Sequence, residues 1–230
     1  MATLETSVLF MNYLVKLKGP DFEDNIPYMY VDSDGKVTVG VGHNLTAHKD
    51  QQSLPFKIKR YERKKVISGD QGIPIPKTRP EGAVATKVEI QNDFDFLTRN
   101  NGLKKNLPSN PNMKLYATVE LDSTTIDEIF LKDLATAIKK AKGVLPSLDS
   151  YPVPCQAGII DIVFNTGELK FPTLIRAVKA EREFAGKPAS ERWEAAARES
   201  KRPQVKPERN NQVNQWFMEG AAAAKASEAK

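Results

Sequence analysis

The sequence feature that most constrains the fold is one β-prone ribbon near the start of a chain whose other periodic segments are helical. Tyr28-Met29-Tyr30-Val31 is rich in residues that favour strands, and residues 36–41 alternate polar and apolar side chains with a period of two. Between them, Asp32-Ser33-Asp34-Gly35 has the composition of a tight turn. The pattern predicts a β-hairpin within residues 28–45.

Helical patterns dominate the second half of the chain. Asp122-Ser123-Thr124 followed by Asp127-Glu128 is a capping signature, and it predicts a helix that runs to about Lys142. Residues 153–165 are apolar on nearly all sides, which predicts a buried central helix. Further helices are predicted over residues 4–18, 171–184, 189–200 and 208–224, and the alanine-rich end, 221–230, is expected to fray.

These segments predict an α+β fold that is mostly helical. We divide the chain into an N-terminal helix and hairpin (1–46), a middle segment (47–121) and a helical part (122–230). The middle segment holds 14 Lys and Arg residues against 8 Asp and Glu, and it therefore supplies the basic excess of a chain with net charge +5. Within the middle segment, residues 56–67 and 84–97 have the spacing of amphipathic helices.

The basic run from Lys57 to Lys65 has two interpretations on its residues alone. It is either a nucleic-acid patch or a solvated amphipathic helix whose apolar side chains are partly buried, namely Phe56, Ile58, Tyr61 and Val66. We favour the helix, because charge runs in soluble proteins commonly form a solvated face, and we expect no nucleic-acid partner.

Cysteine and histidine are scarce, which limits redox and metal chemistry. Cys155 is the only cysteine, so the chain forms no internal disulfide, and its apolar neighbourhood predicts a buried, inert thiol. With His43 and His48 as the only histidines, a structural zinc site is not expected. A calcium loop is rejected, because Gly35 comes at the fourth position of the Asp32 turn rather than the sixth. No cofactor and no metal ion are predicted.

The N-terminal apolar stretch lacks a basic leader and a small-residue cleavage site, so it does not predict a signal peptide. No run approaches the roughly 18 apolar residues of a membrane span. We therefore expect synthesis in the cytoplasm without membrane insertion. Any action outside it would require delivery by other machinery.

Two carboxylates flank the first predicted strand of the hairpin. Glu23 precedes the first strand and Asp32 opens the turn, so folding the ribbon back can bring both to one edge. Glycoside hydrolysis needs such a pair, one protonated to donate to the leaving oxygen and one ionised to activate water or stabilise positive charge. Thr38 lies across the predicted hairpin from Asp32, where its hydroxyl can hold a water.

The same residues resemble the active-site signature of the phage lysozyme family, glycoside hydrolase family 24. The resemblance rests on Glu23, Asp32, Thr38 and the ending Gly40-Val41-Gly42-His43, with no gap. It continues in order through the helical part, with matching segments at residues 130–133, 157–168, 171–174, 192–196 and 207–209. In all it covers residues 5–46 and 122–220.

The resemblance implies a lysozyme-like fold, with a cleft between a small hairpin lobe and a helical lobe. It implies a muramidase that cleaves the β-1,4 bond between N-acetylmuramic acid and N-acetylglucosamine in bacterial peptidoglycan. Glu23 would be the general acid, Asp32 the ionised carboxylate, and Thr38 would position the attacking water. The implied partners are peptidoglycan strands and a cognate immunity or delivery protein.

The resemblance also implies roles around the catalytic residues. Asn165, Gly42 and Phe164 would contact the sugar chain. Arg209 would hold Glu23 in place, and His43 would form a structural ion pair with Asp133. The middle segment would then hold the anionic peptide stems of the wall.

The sequence departs from the family pattern at three places. Asp24 stands where the family has glycine, residues 47–121 form a large insertion, and residues 201–206 carry no aromatic side chain. Three functions stay open: an active muramidase, as a phage endolysin or a secreted antibacterial effector; a non-catalytic peptidoglycan-binding protein; and a chitinase-like hydrolase.

Overall fold

The computed structural model describes residues 12, 13, 15, 16, 25–32, 34–59, 80–99 and 117–229. These form two compact units. The sheet unit lies within residues 25–131, and the helical unit consists mainly of residues 132–229 together with Tyr13. The α+β class predicted from the sequence is confirmed, and most of the described residues are helical. Within the described part of the chain, no helix is long and apolar enough to cross a membrane.

The described residues of the sheet unit form five short antiparallel strands. They are β1 (Ile26–Val31), β2 (Val37–Gly40), β3 (His43–Asn44), β4 (Lys57–Ile58) and β5 (Val119–Glu120). Their order across the sheet is β3-β2-β1-β5-β4. The predicted hairpin is present as β1 and β2, paired in the register Tyr30 with Thr38 and Val31 with Val37. The register of the pair shifts between Ile26 and Tyr30.

The described parts of the middle segment complete that sheet. β5 pairs with β1 through Tyr28 and Glu120, and β4 pairs with β5 through Lys57 and Glu120. The helix predicted over residues 56–67 is therefore wrong at its start, where the chain is extended. Phe56 and Ile58 are buried on alternate positions, as a strand requires, and residues 60–67 lie outside the described residues.

Two short helices and one longer helix accompany the sheet. α1 (Leu45–His48) and a 3-10 turn (Gln51–Ser53) follow β3, and α2 (Lys87–Arg99) confirms the amphipathic helix predicted within residues 84–97. Thr86 and Glu89 form a reciprocal capping box, with Thr86 N 2.6 Å from Glu89 Oε2, which explains why α2 begins at Lys87. Buried Asp93 on α2 accepts hydrogen bonds from the backbone N–H groups of Thr118 and Val119, which ties α2 to β5.

Helix α3 (Ser123–Val144) begins where the capping signature predicts. Asp122 Oδ1 accepts a hydrogen bond from the Thr125 N–H at 2.8 Å, and Asp122 Oδ2 accepts one from Lys57 Nζ at 2.8 Å. Both interactions favour the ionised carboxylate, with the Lys57 bond the largest cause, and they hold the pKa of Asp122 well below its usual range. Gly40 lies against this helix with φ +63°, where an added Cβ would come 3.1 Å from Ile126 Cγ2.

The helical unit is built around α4 (Val153–Thr166), which is buried from Cys155 to Val163 as predicted. It is followed by α5 (Pro172–Lys179), α6 (Ala189–Glu199) and α7 (Pro207–Glu228), with short 3-10 turns at Leu148–Ser150 and Arg182–Phe184. α7 packs against both α4 and α6, and α5 packs against α6. The helix predicted over residues 171–184 is thus split after Lys179, where Ala180 and Arg182 adopt positive φ angles.

The alanine-rich end of the chain was predicted to fray, but α7 continues to Glu228. The Glu228 carboxylate accepts hydrogen bonds from the Ser190 N–H at 3.0 Å and the Ser190 hydroxyl at 2.7 Å. It therefore caps the beginning of α6, a contact that alanine content alone does not indicate. Of the helix predicted over residues 4–18, only residues 12, 13, 15 and 16 are described. Tyr13 donates a hydrogen bond to Glu219 Oε2 at 3.0 Å.

Helices α4 and α7 lie close together at Gly220 and at Gly158. A Cβ added at Gly220 would overlap the sulfur of Cys155, and a Cβ at Gly158 would lie 3.0 Å from the Phe217 ring. Cys155 is fully buried, as predicted, and burial raises the pKa of its thiol well above its usual range. Small residues are therefore required at this crossing.

We expect Gly220→Ala to lower the free energy of unfolding by about 1–3 kcal/mol through overpacking. The matched control is Gly143→Ala in α3, where an added Cβ meets nothing within 4 Å and should stabilise the helix by up to about 1 kcal/mol. Urea unfolding of both variants measures the difference, and Cys155→Ala should partly restore Gly220→Ala. Equal stability of Gly220→Ala and the wild type would contradict the close approach.

The lowered pKa of Asp122 predicts an acid-dependent contribution to stability. Because its folded pKa lies below the unfolded value of about 3.9, the contribution is present above that pH and is lost as the pH falls towards the folded pKa. Asp122→Asn should therefore be less stable than the wild type at pH 6, and the gap should narrow below about pH 4. Urea unfolding at several pH values measures it. A stability difference between the two proteins that does not change with pH would contradict the lowered pKa of Asp122.

Candidate active site

The first group of candidate residues lies at the turn of the β1–β2 hairpin. Asp32 follows β1 directly, and its Oδ1 accepts hydrogen bonds from the backbone N–H groups of Asp34 at 2.9 Å and Lys36 at 2.8 Å. Its Oδ2 accepts a hydrogen bond from the Thr38 hydroxyl at 3.2 Å. The hairpin register pairs Thr38 with Tyr30, and Asp32, two residues after Tyr30, is therefore the diagonal neighbour of Thr38 on the same face. We call this pair the hairpin site.

The two oxygens of Asp32 have different surroundings. Oδ1 serves the turn, in the pattern by which aspartate stabilises reversals of the chain. Oδ2 faces the hydroxyl of Thr38, whose side chain is buried, while Asp32 itself is partly exposed. Oδ2 and the Thr38 oxygen both keep acceptor capacity, so together they can hold the hydrogens of one water molecule.

Gly42 and His43 follow on the same sheet. Gly42 lies in the turn between β2 and β3 with φ +74°, and His43 is buried in β3. His43 Nε2 lies 3.2 Å from Asp50 Oδ1, and the His43 ring stacks on His48 with centroids 4.5 Å apart. Asp50 is a partner of His43 that the sequence did not indicate. Asp133 lies on α3, and its predicted ion pair with His43 stays a prediction.

Glu23, the predicted general acid, lies outside the described residues, as does its neighbour Asp24. Its distance from Asp32 therefore stays a prediction. The residues that follow it are described from Asn25, and β1 begins at Ile26.

The second group is a buried charge network in the helical unit, which we call the arginine network. Asp161 in α4 is fully buried between two guanidinium groups. Its Oδ2 accepts a hydrogen bond from Arg202 Nη2 at 2.7 Å, and its Oδ1 accepts one from Arg209 Nε at 2.9 Å. Arg209 Nη2 also lies 2.8 Å from that oxygen. Both arginines are buried, so these charges have left water and depend on one another.

One of the residues predicted to contact sugar, Asn165, contacts this network. Asn165 and Phe164 occupy the last turn of α4 and are partly exposed. Arg202 Nη1 donates a hydrogen bond to Asn165 Oδ1 at 3.3 Å. A chain of contacts thus runs from buried Asp161, through Arg202, to an amide at the surface of the helical unit.

Arg209 has a partner, Asp161, that the sequence analysis did not predict. The resemblance assigns Arg209 to Glu23, whereas the structure places its guanidinium on Asp161. The contact with Glu23 stays a prediction, because Glu23 is outside the described residues.

Sequence reasoning missed Asp161 and Arg202. The signal for Asp161 was present, since a single carboxylate within the apolar run 157–164 must find a cation when that run is buried. Arg202 had no comparable signal, because it lies 41 residues further along the chain, in an irregular connection. That connection is held by Asn210, which accepts from the Arg202 N–H at 3.0 Å and donates to the Arg202 carbonyl at 2.7 Å.

Compared with models of known protein families and with curated protein sequences, the chain matches none. The resemblance to phage lysozymes therefore rests on the hairpin signature and the ordered helical segments themselves.

We expect the stability of the protein to depend strongly on the charge of Asp161, the carboxylate of the arginine network. Asp161→Asn leaves the two buried guanidinium groups beside a neutral amide, and we expect it to lower the free energy of unfolding by about 3–5 kcal/mol. The control is Asp149→Asn, since Asp149 also pairs with a cation, Lys142 at 2.7 Å, but is exposed. Chemical denaturation compares the two. Similar small losses would show that the buried carboxylate is not required.

Proposed function

We propose that the chain is a muramidase of lysozyme-like fold, which hydrolyses the β-1,4 bond between N-acetylmuramic acid and N-acetylglucosamine in peptidoglycan. The observation that carries this proposal is the 3.2 Å hydrogen bond between Thr38 and Asp32 Oδ2. It joins two members of the Glu23, Asp32 and Thr38 signature in the arrangement that a water-activating carboxylate needs.

In the proposed reaction, Glu23 gives its proton to the glycosidic oxygen as the bond from that oxygen to C1 breaks. A water held by Asp32 Oδ2 and the Thr38 hydroxyl attacks C1 from the opposite face, and Asp32 takes a proton from it. The products are a new reducing sugar and a free hydroxyl, and the configuration at C1 is inverted. This route requires about 6.5–9.5 Å between the two carboxyl groups.

The fixed turn supports Asp32 as the base. Its Oδ1 is held by two backbone N–H groups, so the carboxylate cannot rotate freely, and Oδ2 keeps one orientation towards Thr38. A group held in this way loses little conformational entropy when it acts on bound water. Asn165, Phe164 and Gly42 would contact the sugar chain. The proposed reaction uses no cofactor.

The substrate places the site of action at the cell wall, reached after delivery as a phage endolysin or a secreted antibacterial effector. A delivery or immunity protein is the partner expected for an effector. The middle segment would add wall contacts. Two of its described cations, Lys57 and Lys59, already lie near Asp122 and Glu120, at 2.8 Å and 3.9 Å, so wall binding through them would compete with these pairs.

A second candidate is a non-catalytic peptidoglycan-binding protein. The observation that favours it is the use of Asp32 Oδ1 by the turn, which gives this residue a structural reason to be aspartate without any reaction. The two candidates differ in whether Asp32 must be charged. An asparagine keeps a carbonyl oxygen for the turn but removes the anion.

We expect Glu23→Gln and Asp32→Asn each to slow the lysis of permeabilised Gram-negative cells at least about 100-fold, because each removes a proton-transfer group. The matched control is Asp34→Asn, an exposed carboxylate of the same turn that pairs with Lys36 at 3.3 Å, and it should keep nearly full activity. Loss of turbidity gives the rate, and binding to purified sacculi should survive in all three variants.

Identifying the bond that is cut distinguishes a muramidase from a chitinase-like hydrolase. Mass spectra of the products should show N-acetylmuramic acid at the new reducing ends for a muramidase. Digestion of chitin in preference to sacculi would favour the chitinase-like alternative. A wild-type chain that binds sacculi without releasing muropeptides would overturn the enzyme and favour the binding protein.

A further inference from the structure

Arg202 is held from both its side chain and its backbone. The guanidinium donates through Nη2 to buried Asp161 at 2.7 Å, and Asn210 bonds both the N–H and the carbonyl of Arg202. Its side chain is fully buried. The guanidinium also donates from Nη1 to Asn165 Oδ1 at 3.3 Å, and this contact therefore comes from a group with one fixed position.

That contact decides which way the Asn165 amide faces. A guanidinium has only donors, so the amide must present its oxygen to Arg202. The amide NH2 then points away from the network, and among the described residues it has no hydrogen-bond acceptor. Asn165 is partly exposed at the end of α4, so this donor belongs to a residue that solvent reaches.

We infer that Arg202, held by Asp161, is a positioning residue that fixes the Asn165 amide with its donor outward, so that this amide selects ligand groups that accept a hydrogen bond. This inference rests on the proposed function. In an amino-sugar polymer, such acceptors are the carbonyl oxygens of N-acetyl groups and the hydroxyl oxygens. An amide free to rotate would offer a donor or an acceptor equally, whereas a fixed donor disfavours ligand groups that can only donate.

Asn165→Asp is the most direct test, because it changes only the outward group. The carboxylate keeps an oxygen for Arg202 and replaces the outward NH2 with a second oxygen. We expect KM for purified sacculi to rise at least 10-fold with little change in kcat, and the thermal unfolding midpoint to stay the same or rise. The control is Asn211→Asp, which adds the same charge at an exposed position of α7 and should change neither value.

Arg202→Lys tests the positioning step. An ammonium keeps the charge beside Asp161 but lacks the fork that reaches both Asp161 and Asn165. We expect a smaller rise in KM, of about threefold, because a freed amide still presents its donor part of the time. Combining Arg202→Lys with Asn165→Asp should raise KM no further than Asn165→Asp alone.

A spectroscopic measurement separates ligand contact from a purely structural role. In Glu23→Gln protein, added tri-N-acetylchitotriose should shift the side-chain NH2 resonances of Asn165 and leave those of Asn211 unchanged. Unchanged KM in Asn165→Asp, a lowered unfolding midpoint in that variant, or Asn165 resonances that do not move would each overturn the inference while muramidase activity stands. A wild-type chain without wall-digesting activity overturns the proposed function and this inference together.

Discussion

The helical unit depends on one buried carboxylate shared by two buried arginines. Asp161 comes from the central helix, Arg202 from the connection between α6 and α7, and Arg209 from the first turns of α7. Removing charges from water is costly, and the cost is offset only when each charge has well-placed partners. The network therefore makes the position of an irregular connection depend on a helix that precedes it by about 40 residues in the chain. Apolar side chains in place of this network could fill the same space, but they would leave no carboxylate to hold a guanidinium in one direction.

The sequence correctly predicted those helices and strands that are determined by residues close to them in the chain. The β1–β2 hairpin follows from alternation around Asp32, and the start of α3 follows from Asp122, whose carboxylate caps the N–H of Thr125. The strands β4 and β5 follow no such rule. Each has two residues, too few for a period to be read, and each exists because a distant strand offers it hydrogen bonds. The start of the helix predicted over residues 56–67 was wrong for this reason: its apolar spacing fits either structure until the partner strand is known.

In the candidate site, too, contacts between residues close in the chain could be predicted, and contacts between distant residues could not. The contact between Asp32 and Thr38 could be predicted because a short turn places the residues on either side of it on the same face of the hairpin, within reach of one another. The pairing of Asp161 with Arg202 could not, since nothing in the sequence near residue 202 indicates a buried end point. The presence of Asp161 in an apolar helix did signal that some cation must reach it. The sequence thus shows that a buried partner is needed, while the fold decides which residue supplies it.

The hairpin site raises the question of whether one residue can serve the turn and the proposed reaction. The two uses of Asp32 do not compete, because they fall on different oxygens: Oδ1 receives the N–H groups of Asp34 and Lys36, and Oδ2 receives Thr38. Fixing Oδ1 orients Oδ2, so the turn supplies part of the preorganisation that a base needs. A carboxylate with no structural duty would have to be oriented by additional contacts. On the proposed function, the turn bonds that give Asp32 a structural explanation are also what would make it an effective base.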